Sequence, residues 1–183
     1  MWIPDGLETA PRPRFAQVMP AIVIRPAVES DVPLLLEFIR GLADYERLSH
    51  QVTASEETLC ESLFARAPAA EALIGCVDGA PAGFAVFFHN FSTFLGRRGL
   101  YLEDLFVKPE FRGRGLGSAL FRHVARLAVG RACGRFEWAV LDWNQPAINF
   151  YQKLGATVMP DWRICRLPGD ALRRIGGAGD ALA

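Results

Sequence analysis

The chain has 183 residues, of which 51% are hydrophobic, 11% aromatic and 22% charged, a composition typical of a packed domain and unlike a disordered chain. Its 20 Lys and Arg residues balance 20 Asp and Glu residues, so the formal net charge is zero. A neutral chain has no general field that attracts nucleic acid or an anionic membrane, and no apolar run is long enough to cross a bilayer. We therefore expect neither a nucleic-acid partner nor a membrane partner.

The four cysteines lie far apart in the sequence and form no C-x-x-C pair. A zinc site or a redox dithiol is therefore not expected, and we predict no bound metal. The N-terminus lacks a basic start followed by an apolar stretch, so it does not resemble a secretory signal. Together these features predict a cytoplasmic protein with reduced cysteines.

The two ends of the chain differ from its centre. Residues 1–20 contain four prolines without a helical or strand period, which predicts a flexible arm. Met19 stands just before the first structured segment and is an alternative translation start to Met1. Residues 169–183 are rich in glycine and predict a short helical turn followed by a frayed tail. A single domain is predicted over residues 21–168.

The first predicted elements are a strand and two helices. Residues 22–24 are β-branched, which favours a strand. Ser30 or Asp31 is suited to cap the first helix, and Thr53 with Glu56 fits a capping box for the second. The apolar stripe predicted for the first helix is Leu35, Phe38, Ile39 and Leu42.

Three strands are predicted next. The apolar runs 73–77 and 83–88 are separated by a stretch that contains Asp78 and Gly79, a pair typical of a tight hairpin turn. Residues 100–107 form the third run. A glycine-rich turn at residues 112–118 then leads into a helix with an apolar stripe.

The last predicted elements are a strand at residues 136–141, a helix and a final strand at residues 162–167. Asn144 is suited to cap the helix and Gly155 to end it. Alternating strands and helices predict one α/β domain with a mixed sheet.

The glycine-rich turn at residues 112–118 is the first candidate binding feature. Alternating glycines let the backbone turn sharply and approach a ligand, and the amides at a helix start carry partial positive charge. This combination suits a phosphate or diphosphate, although a plain turn fits the same residues. The turn contains no P-loop motif, and its late position and G-x-G-x-G spacing argue against a dinucleotide-binding site.

Two acids, Glu103 and Asp104, stand at the centre of the apolar run 100–107. Neighbouring residues of a regular strand face opposite sides, so one acid is expected on each face. A buried carboxylate needs a partner, a raised pKa or water. Each acid is therefore either part of a salt bridge or a functional group, and the adjacent glycine turn favours function for Glu103.

These segments resemble the GNAT superfamily of N-acetyltransferases. Its cofactor-loop pattern, [RQ]-x-x-G-x-[GA], is matched by Arg112, Gly115 and Gly117, and residues 143–156 resemble its last helix. Within the superfamily the chain resembles the diamine and thialysine acetyltransferase branch. The matching segments are residues 24–27, 43–48, 91–96, 100–107, 112–118 and 140–147. The resemblance extends from about residue 22 to about residue 167 and implies a GNAT-type mixed, mostly antiparallel sheet with flanking helices in one domain.

The resemblance implies acetyl-CoA as the cosubstrate and assigns residues to it. Residues 105–107 would pair with the pantetheine arm and residues 113–118 would hold the pyrophosphate, while Asn144 would hydrogen-bond the arm and Tyr151 would lie near the sulfur. The implied cofactor-binding residues are Leu105, Phe106, Val107, Arg112, Gly113, Arg114, Gly115, Leu116, Gly117, Ser118, Asn144, Ala147 and Tyr151.

The resemblance also implies two catalytic residues and an acceptor site. Glu103 would take a proton from the amine through water, and Tyr151 would protonate the leaving thiolate. The implied acceptor-binding residues are Tyr45, Glu46, Glu103, Asp104, Glu137, Trp138, Ala139 and Asp142. From their residues alone, Tyr151 also fits a core tyrosine and Asn144 a simple helix cap.

The implied activity is direct acetyl transfer to a small aliphatic amine, of a thialysine, lysine or polyamine type, by a homodimer. An amino-acid acceptor needs a cation for its carboxylate, for which the candidates are Arg47, Arg97 and Arg98. Two alternatives remain: a protein lysine or N-terminal acetyltransferase, and a non-catalytic acetyl-CoA sensor.

Overall fold

A computed structural model describes residues 20–177 of the protein. The chain forms two compact units, Met1–Ala139 and Val140–Ala183. The arm predicted at residues 1–20 and the last six residues of the predicted tail lie outside the described residues, apart from Pro20.

The described part of the first unit contains a sheet and three α-helices. The strands are β1 (Ile22–Pro26), β2 (Glu71–Val77), β3 (Ala80–Ser92), β4 (Arg97–Val107) and β5 (Phe136–Trp138). The helices are α1 (Val32–Tyr45), α2 (Glu56–Phe64) and α3 (Leu116–Gly130).

The sheet has the strand order β1-β2-β3-β4-β5. Every neighbouring pair is antiparallel except β4 and β5, which are parallel and are joined by the crossover helix α3. The predicted mixed, mostly antiparallel sheet with flanking helices is thus confirmed. The hairpin turn between β2 and β3 is confirmed as well, because Asp78 and Gly79 have φ values of 51° and 83°, as a tight primed turn requires.

Helix α1 covers one face of the sheet with an aromatic core. The Phe38 ring stacks on Phe84 at 5.7 Å between centroids and lies 6.3 Å from Phe106. Leu35, Phe38 and Phe84 are fully buried. At Gly41 a Cβ atom would lie 3.0 Å from Phe106 Cζ, so the glycine lets α1 approach the end of β4 closely.

Helix α3 covers the opposite face. Ile74 of β2 packs in the α1 core, whereas a Cβ atom on the next residue, Gly75, would lie 2.7 Å from Leu116 Cδ1 of α3. Consecutive strand residues face opposite sides, so the two helices sandwich the sheet. On the α3 face, Phe121 packs edge-on against Trp138 of β5 at 5.0 Å.

Strand β4 carries a β-bulge at its centre. Asp104 pairs with Val86 and Leu102 pairs with Phe87, so Glu103 has no residue opposite it on β3. The regular alternation expected for the two acids therefore does not hold. Because Val86 packs against the α1 core, its partner Asp104 lies on the α1 face of the sheet.

The described part of the second unit contains α4 (Gln145–Lys153) and α5 (Gly169–Gly177). Asn144 caps α4 as predicted, since its side-chain oxygen accepts the Ala147 N–H at 3.3 Å. Gly155 follows the helix with φ of 91°, the left-handed conformation expected after a helix C-terminus.

Three local predictions are wrong. Residues 162–167 form no strand, because the segment joins no ladder within residues 20–177 and an unpaired strand leaves its N–H and C=O groups without ladder bonds. Strand β5 ends at Trp138, three residues earlier than predicted. The capping box of α2 is made by Ser55 and Thr58, whose N–H donates to Ser55 Oγ at 3.2 Å, since the helix begins after Ser55.

The close approach of β3 and β4 gives a stability prediction. A Cβ atom at Gly83 would lie 2.3 Å from the Phe106 carbonyl oxygen, a backbone atom that cannot move aside without disturbing the ladder. We expect Gly83→Ala to lower the free energy of unfolding by about 3 kcal/mol in urea titrations. Gly130→Ala is the control, since a Cβ atom there meets no described atom within 4 Å. An equal effect of the two substitutions would contradict the packing argument.

Candidate active site

The loop between β4 and α3 has the geometry of an anion site. Gly113 and Gly115 have φ values of 75° and 90°, which side chains other than glycine rarely adopt. Helix α3 begins at Leu116, and in the described chain no side chain caps its N-terminus. The first amides of a helix point outwards and carry partial positive charge, so this helix start suits a phosphate group.

The two arginines of the loop both lie over aromatic rings. Arg112 Nε donates to the Val107 carbonyl at 3.1 Å, and its guanidinium carbon lies 4.7 Å from the centre of the Tyr45 ring. The guanidinium carbon of Arg114 lies 5.3 Å from the centre of the Phe111 ring. The sequence showed the charges of the loop, but not these contacts.

The C-terminal part of β4 pairs with β3 on one edge but not with β5 on the other. The parallel ladder ends where Leu102 meets Trp138, whereas β4 continues to Val107. In the described structure, residues 104–107 pair with β3 alone. The other edge of this stretch includes the predicted residues Leu105, Phe106 and Val107, and it leads directly towards the glycine loop. An extended ligand with amide groups can pair with such an edge.

Asp104 is the acid whose ionisation the fold changes most. Burial, and then the neighbouring charges of Glu103 and Glu46, raise its pKa to about 7. Burial also raises the pKa of Glu46, the residue that follows α1. Asp104 forms no ion pair with any residue between 20 and 177, so the salt-bridged alternative is not observed for it.

Glu103 and Tyr45 lie with Asp104 and Glu46 in what we call the acidic cluster. Glu103 is exposed at the bulge, and Tyr45, the last residue of α1, is 37% exposed. The first unit therefore brings together four of the predicted acceptor residues: Tyr45, Glu46, Glu103 and Asp104. The sequence pointed to both acids of β4 and left a partner, a raised pKa or water open for each. It could not decide among these, because the bulge and the approach of α1 are not visible in it.

Two predicted acceptor residues on β5 have other contacts. Glu137 Oε2 accepts a hydrogen bond from Asn90 Nδ2 at 2.9 Å and lies 2.7 Å from Arg135 Nε. The Trp138 ring packs on Phe121, on the face of the sheet opposite α1. The side-chain charge of Glu137 is therefore balanced by Arg135. Ala139 follows β5 as the last residue of the first unit.

The remaining predicted residues belong to the second unit. The Asn144 side chain accepts from Ala147 as the α4 cap, and the Tyr151 ring lies edge-on to Phe150 at 5.1 Å. Tyr151 is half-buried, whereas the Asp142 side chain is exposed.

The three arginines considered for an acceptor carboxylate lie in different places. Arg97 and Arg98 begin β4, six to seven residues before Asp104. At a rise of about 3.3 Å per residue, Arg98 lies roughly 20 Å from Asp104, much farther than one amino acid extends. Arg97 and Arg98 are therefore too far along the strand to meet the carboxylate of an amino acid whose amine lies near Asp104. Arg47 instead follows Glu46 directly.

The described part of the chain shows neither a metal-binding group nor a membrane-spanning helix. No group of three or more His, Cys, Asp or Glu side chains is arranged to hold a metal ion within residues 20–177. None of the described helices combines the length and the apolar character needed to cross a membrane.

Comparison with known proteins agrees with this arrangement. Residues 37–156 match the acetyltransferase (GNAT) family model. Thialysine N-epsilon-acetyltransferase of Sus scrofa is 39% identical over 170 residues, covering 87% of this chain and 99% of that protein. L-ornithine N5-acetyltransferase of Arabidopsis thaliana is 34% identical over 197 residues, covering 83% and 86%.

A solved structure has the same fold. An integron cassette protein of V. cholerae superposes with a TM-score of 0.71 at 24% identity, covering 86% of this chain and 98% of that one. From the family match over residues 37–156 and the relatives that align over most of its length, the chain belongs to the GNAT acetyltransferase family.

Proposed function

We propose that this enzyme transfers the acetyl group of acetyl-CoA to the side-chain amine of a small basic amino acid of the thialysine, lysine or ornithine type. The observation that carries the proposal is the acidic cluster of Tyr45, Glu46, Glu103 and Asp104 beside the unpaired edge of β4. Carboxylates attract a cationic amine, and the neighbouring edge and loop suit the coenzyme.

The coenzyme residues of the proposal follow the chain from β4 to α3. The unpaired edge at residues 105–107 would pair with the amide groups of the pantetheine arm. The amides of residues 113–118 would bind the pyrophosphate, because they join a glycine loop to the start of α3. In the second unit, Asn144 and Ala147 would bind the arm near its reactive end, and Tyr151 would lie by the sulfur.

The acidic cluster would prepare the amine for attack. A primary amine with a pKa near ~10.4 is mostly protonated at neutral pH and cannot attack a thioester. Glu103, exposed at the bulge, would accept the proton through water, as the family resemblance implies. Asp104, with a pKa of about 7, would be partly ionised at neutral pH and would become more so beside a bound cation.

The transfer itself needs no covalent enzyme intermediate. The neutral amine nitrogen attacks the acetyl carbonyl carbon, and a strand amide near Phe106 would stabilise the resulting oxyanion. The carbon–sulfur bond then breaks, and Tyr151 would protonate the departing thiolate. The proton that the nitrogen loses as the amide forms would return to the Tyr151 oxygen, directly or through water. No serine or cysteine in the sequence lies in a nucleophile elbow, which supports direct transfer.

The choice of an amino-acid acceptor rests on the relatives and on Arg47. The Sus scrofa relative is named for thialysine and the Arabidopsis relative for ornithine, which are both amino acids. Arg47 stands next to Glu46, so a cation and an acid lie in consecutive positions at the end of α1. This pair suits an acceptor that carries a carboxylate at one end and an amine at the other.

We also propose a cytoplasmic location, because a reducing compartment favours free thiols. The four cysteines, Cys60, Cys76, Cys133 and Cys165, are all free.

We further propose a homodimer, which the family resemblance implies. The hairpin between β3 and β4 offers an apolar surface for it. Phe91 is 61%, Phe94 95% and Leu95 50% exposed. Exposed apolar clusters of this kind favour contact with another protein surface.

The dimer can be tested by sedimentation velocity. We expect a species of about twice the 20.2 kDa chain mass, and we expect Phe94→Ser to shift it to the monomer without unfolding it. A wild-type protein that sediments as a monomer at tens of micromolar would overturn the proposal.

A panel of acceptors tests the activity. Thiol release from acetyl-CoA would be followed with thialysine, lysine, ornithine, cadaverine, putrescine, spermidine and a lysine peptide. We expect turnover on the amino acids, and a higher KM for cadaverine than for lysine, because cadaverine is lysine without its carboxylate. Glu103→Gln and Tyr151→Phe should each lower kcat about 100-fold, since each removes a proton-transfer group.

Arg66→Gln, an exposed substitution, is the matched control and should leave kcat and KM unchanged. Turnover of the lysine peptide alone would favour a protein acetyltransferase. Coenzyme binding without turnover of any acceptor would favour a sensor, and either result would overturn the proposed function.

The pKa of Asp104 gives a prediction about pH and stability. Its folded pKa of about 7 lies above the ordinary value of 3.8, so between these values the folded state holds a proton that the unfolded state has lost. The Asp104 contribution to stability therefore falls as pH rises from about 4 to about 7. We would measure the free energy of unfolding of Asp104→Asn and of wild type in urea titrations. We expect the difference, variant minus wild type, to be larger at pH 8 than at pH 5 by on the order of 2–4 kcal/mol.

Asp161→Asn, which removes an exposed carboxylate, serves as the control. If Asp104→Asn differs from wild type by the same amount at pH 5 and at pH 8, the carboxyl group has an ordinary pKa and the acidic cluster is not coupled as described.

A further inference from the structure

We propose that Arg112 is a positioning residue for the amine acceptor, acting through the ring of Tyr45, in addition to its place in the coenzyme loop. This inference rests on the proposed function, because it concerns the acceptor site of that same reaction. Its physical basis is a set of contacts that join the loop to two other elements of the first unit.

The guanidinium of Arg112 is held at two points. Its Nε donates to the Val107 carbonyl at 3.1 Å, which fixes the group to the end of β4. Its carbon lies 4.7 Å from the centre of the Tyr45 ring and 5.9 Å from the centre of the Phe106 ring. Both distances are within the range of cation–π attraction. The side chain thus joins the loop, the end of β4 and the end of α1.

The position at the end of α1 adds a second favourable interaction. Tyr45 is the last residue of the helix, and the last turn contains no basic residue of its own. The C-terminus of a helix carries partial negative charge, which a nearby cation stabilises. Arg112 brings a cation to this helix end from a distant part of the sequence.

The contact matters for the acceptor because Tyr45 is joined directly to an acid of the cluster. Glu46 is the next residue, and its charge acts on Asp104 of β4. A ring held by Arg112 therefore fixes the backbone from which Glu46 extends. Without that contact, Tyr45 and Glu46 would keep their chemistry but lose their fixed distance from the acids of β4.

Lysine cannot replace arginine in this arrangement. A guanidinium can lie flat on a ring while its Nε–H donates sideways to a carbonyl, whereas an ammonium is a compact group without a planar face. Arg114 is the natural comparison, since it lies in the same loop but over Phe111, which is not part of the acidic cluster.

The test measures amine kinetics at saturating acetyl-CoA. We expect Arg112→Gln and Arg112→Lys each to raise the KM about tenfold for lysine and for cadaverine alike, with kcat changed less than threefold. Arg114→Gln should raise the KM for acetyl-CoA only. In a Tyr45→Leu background, Arg112→Gln should not raise the amine KM further, because the ring on which Arg112 acts is absent. Thermal unfolding of each variant checks that it folds.

Three results would overturn the inference. An unchanged amine KM at saturating acetyl-CoA would leave Arg112 with a phosphate role alone. A change for lysine but not for cadaverine would mean a direct contact with the acceptor carboxylate. Additive effects of Arg112→Gln and Tyr45→Leu would mean that the two residues act independently. Failure of the proposed function is distinguishable, because wild-type protein would then turn over neither amine.

Discussion

The site depends on the position along β4 beyond which β5 no longer pairs with it. From Leu100 to Leu102 the strand is paired on both edges, by β3 and by β5. Beyond Leu102, β5 has ended, and the bulge at Glu103 changes which residues face α1. The end of β5 therefore opens a backbone edge, and the bulge leaves Glu103 without a residue opposite it while Asp104 faces α1. Both features fall within a few residues of β4.

The acidic cluster follows from that irregularity and has an energetic cost. Asp104 lies on the α1 face opposite Val86, next to the aromatic core, where an ionised carboxylate is poorly solvated. This burial is the main reason that the pKa of Asp104 rises to about 7, and repulsion from Glu103 and Glu46 adds to it. Such a cluster is disfavoured without a cation beside it. In the proposed function a bound ammonium group would relieve this repulsion, which would favour an amine over a neutral ligand.

The sequence predicted the features that depend on local chemistry. The Asp78 and Gly79 turn and the Asn144 cap are set by the conformations and hydrogen bonds of a few consecutive residues, and both were confirmed. The glycine loop likewise leads to a helix start with left-handed residues at Gly113 and Gly115. The fold class followed from the order of strands and helices together with the motifs of residues 100–118.

The features that the sequence did not predict depend on distant residues. The bulge at Glu103 arises from the register of β3 against β4, which no spacing in the sequence encodes. The strand expected at residues 162–167 has suitable residues but no paired neighbour among residues 20–177, so its apolar side chains remain exposed, with Trp162 at 72% and Ile164 at 73%. The contact of Arg112 with Tyr45 joins residues 67 positions apart in the chain.

The neutral net charge of the chain fits an enzyme with two ligands of opposite sign. A strongly basic protein would attract an anionic coenzyme but repel a cationic amine, and an acidic protein would do the reverse. Here the proposed anion site uses backbone amides and the start of α3, whereas the proposed amine site uses the carboxylates of Glu46, Glu103 and Asp104. Arg112 lies between the two, with its guanidinium on an aromatic ring. Because no ion pair within residues 20–177 neutralises its charge, it can stabilise the coenzyme loop while the acids nearby keep their attraction for the amine.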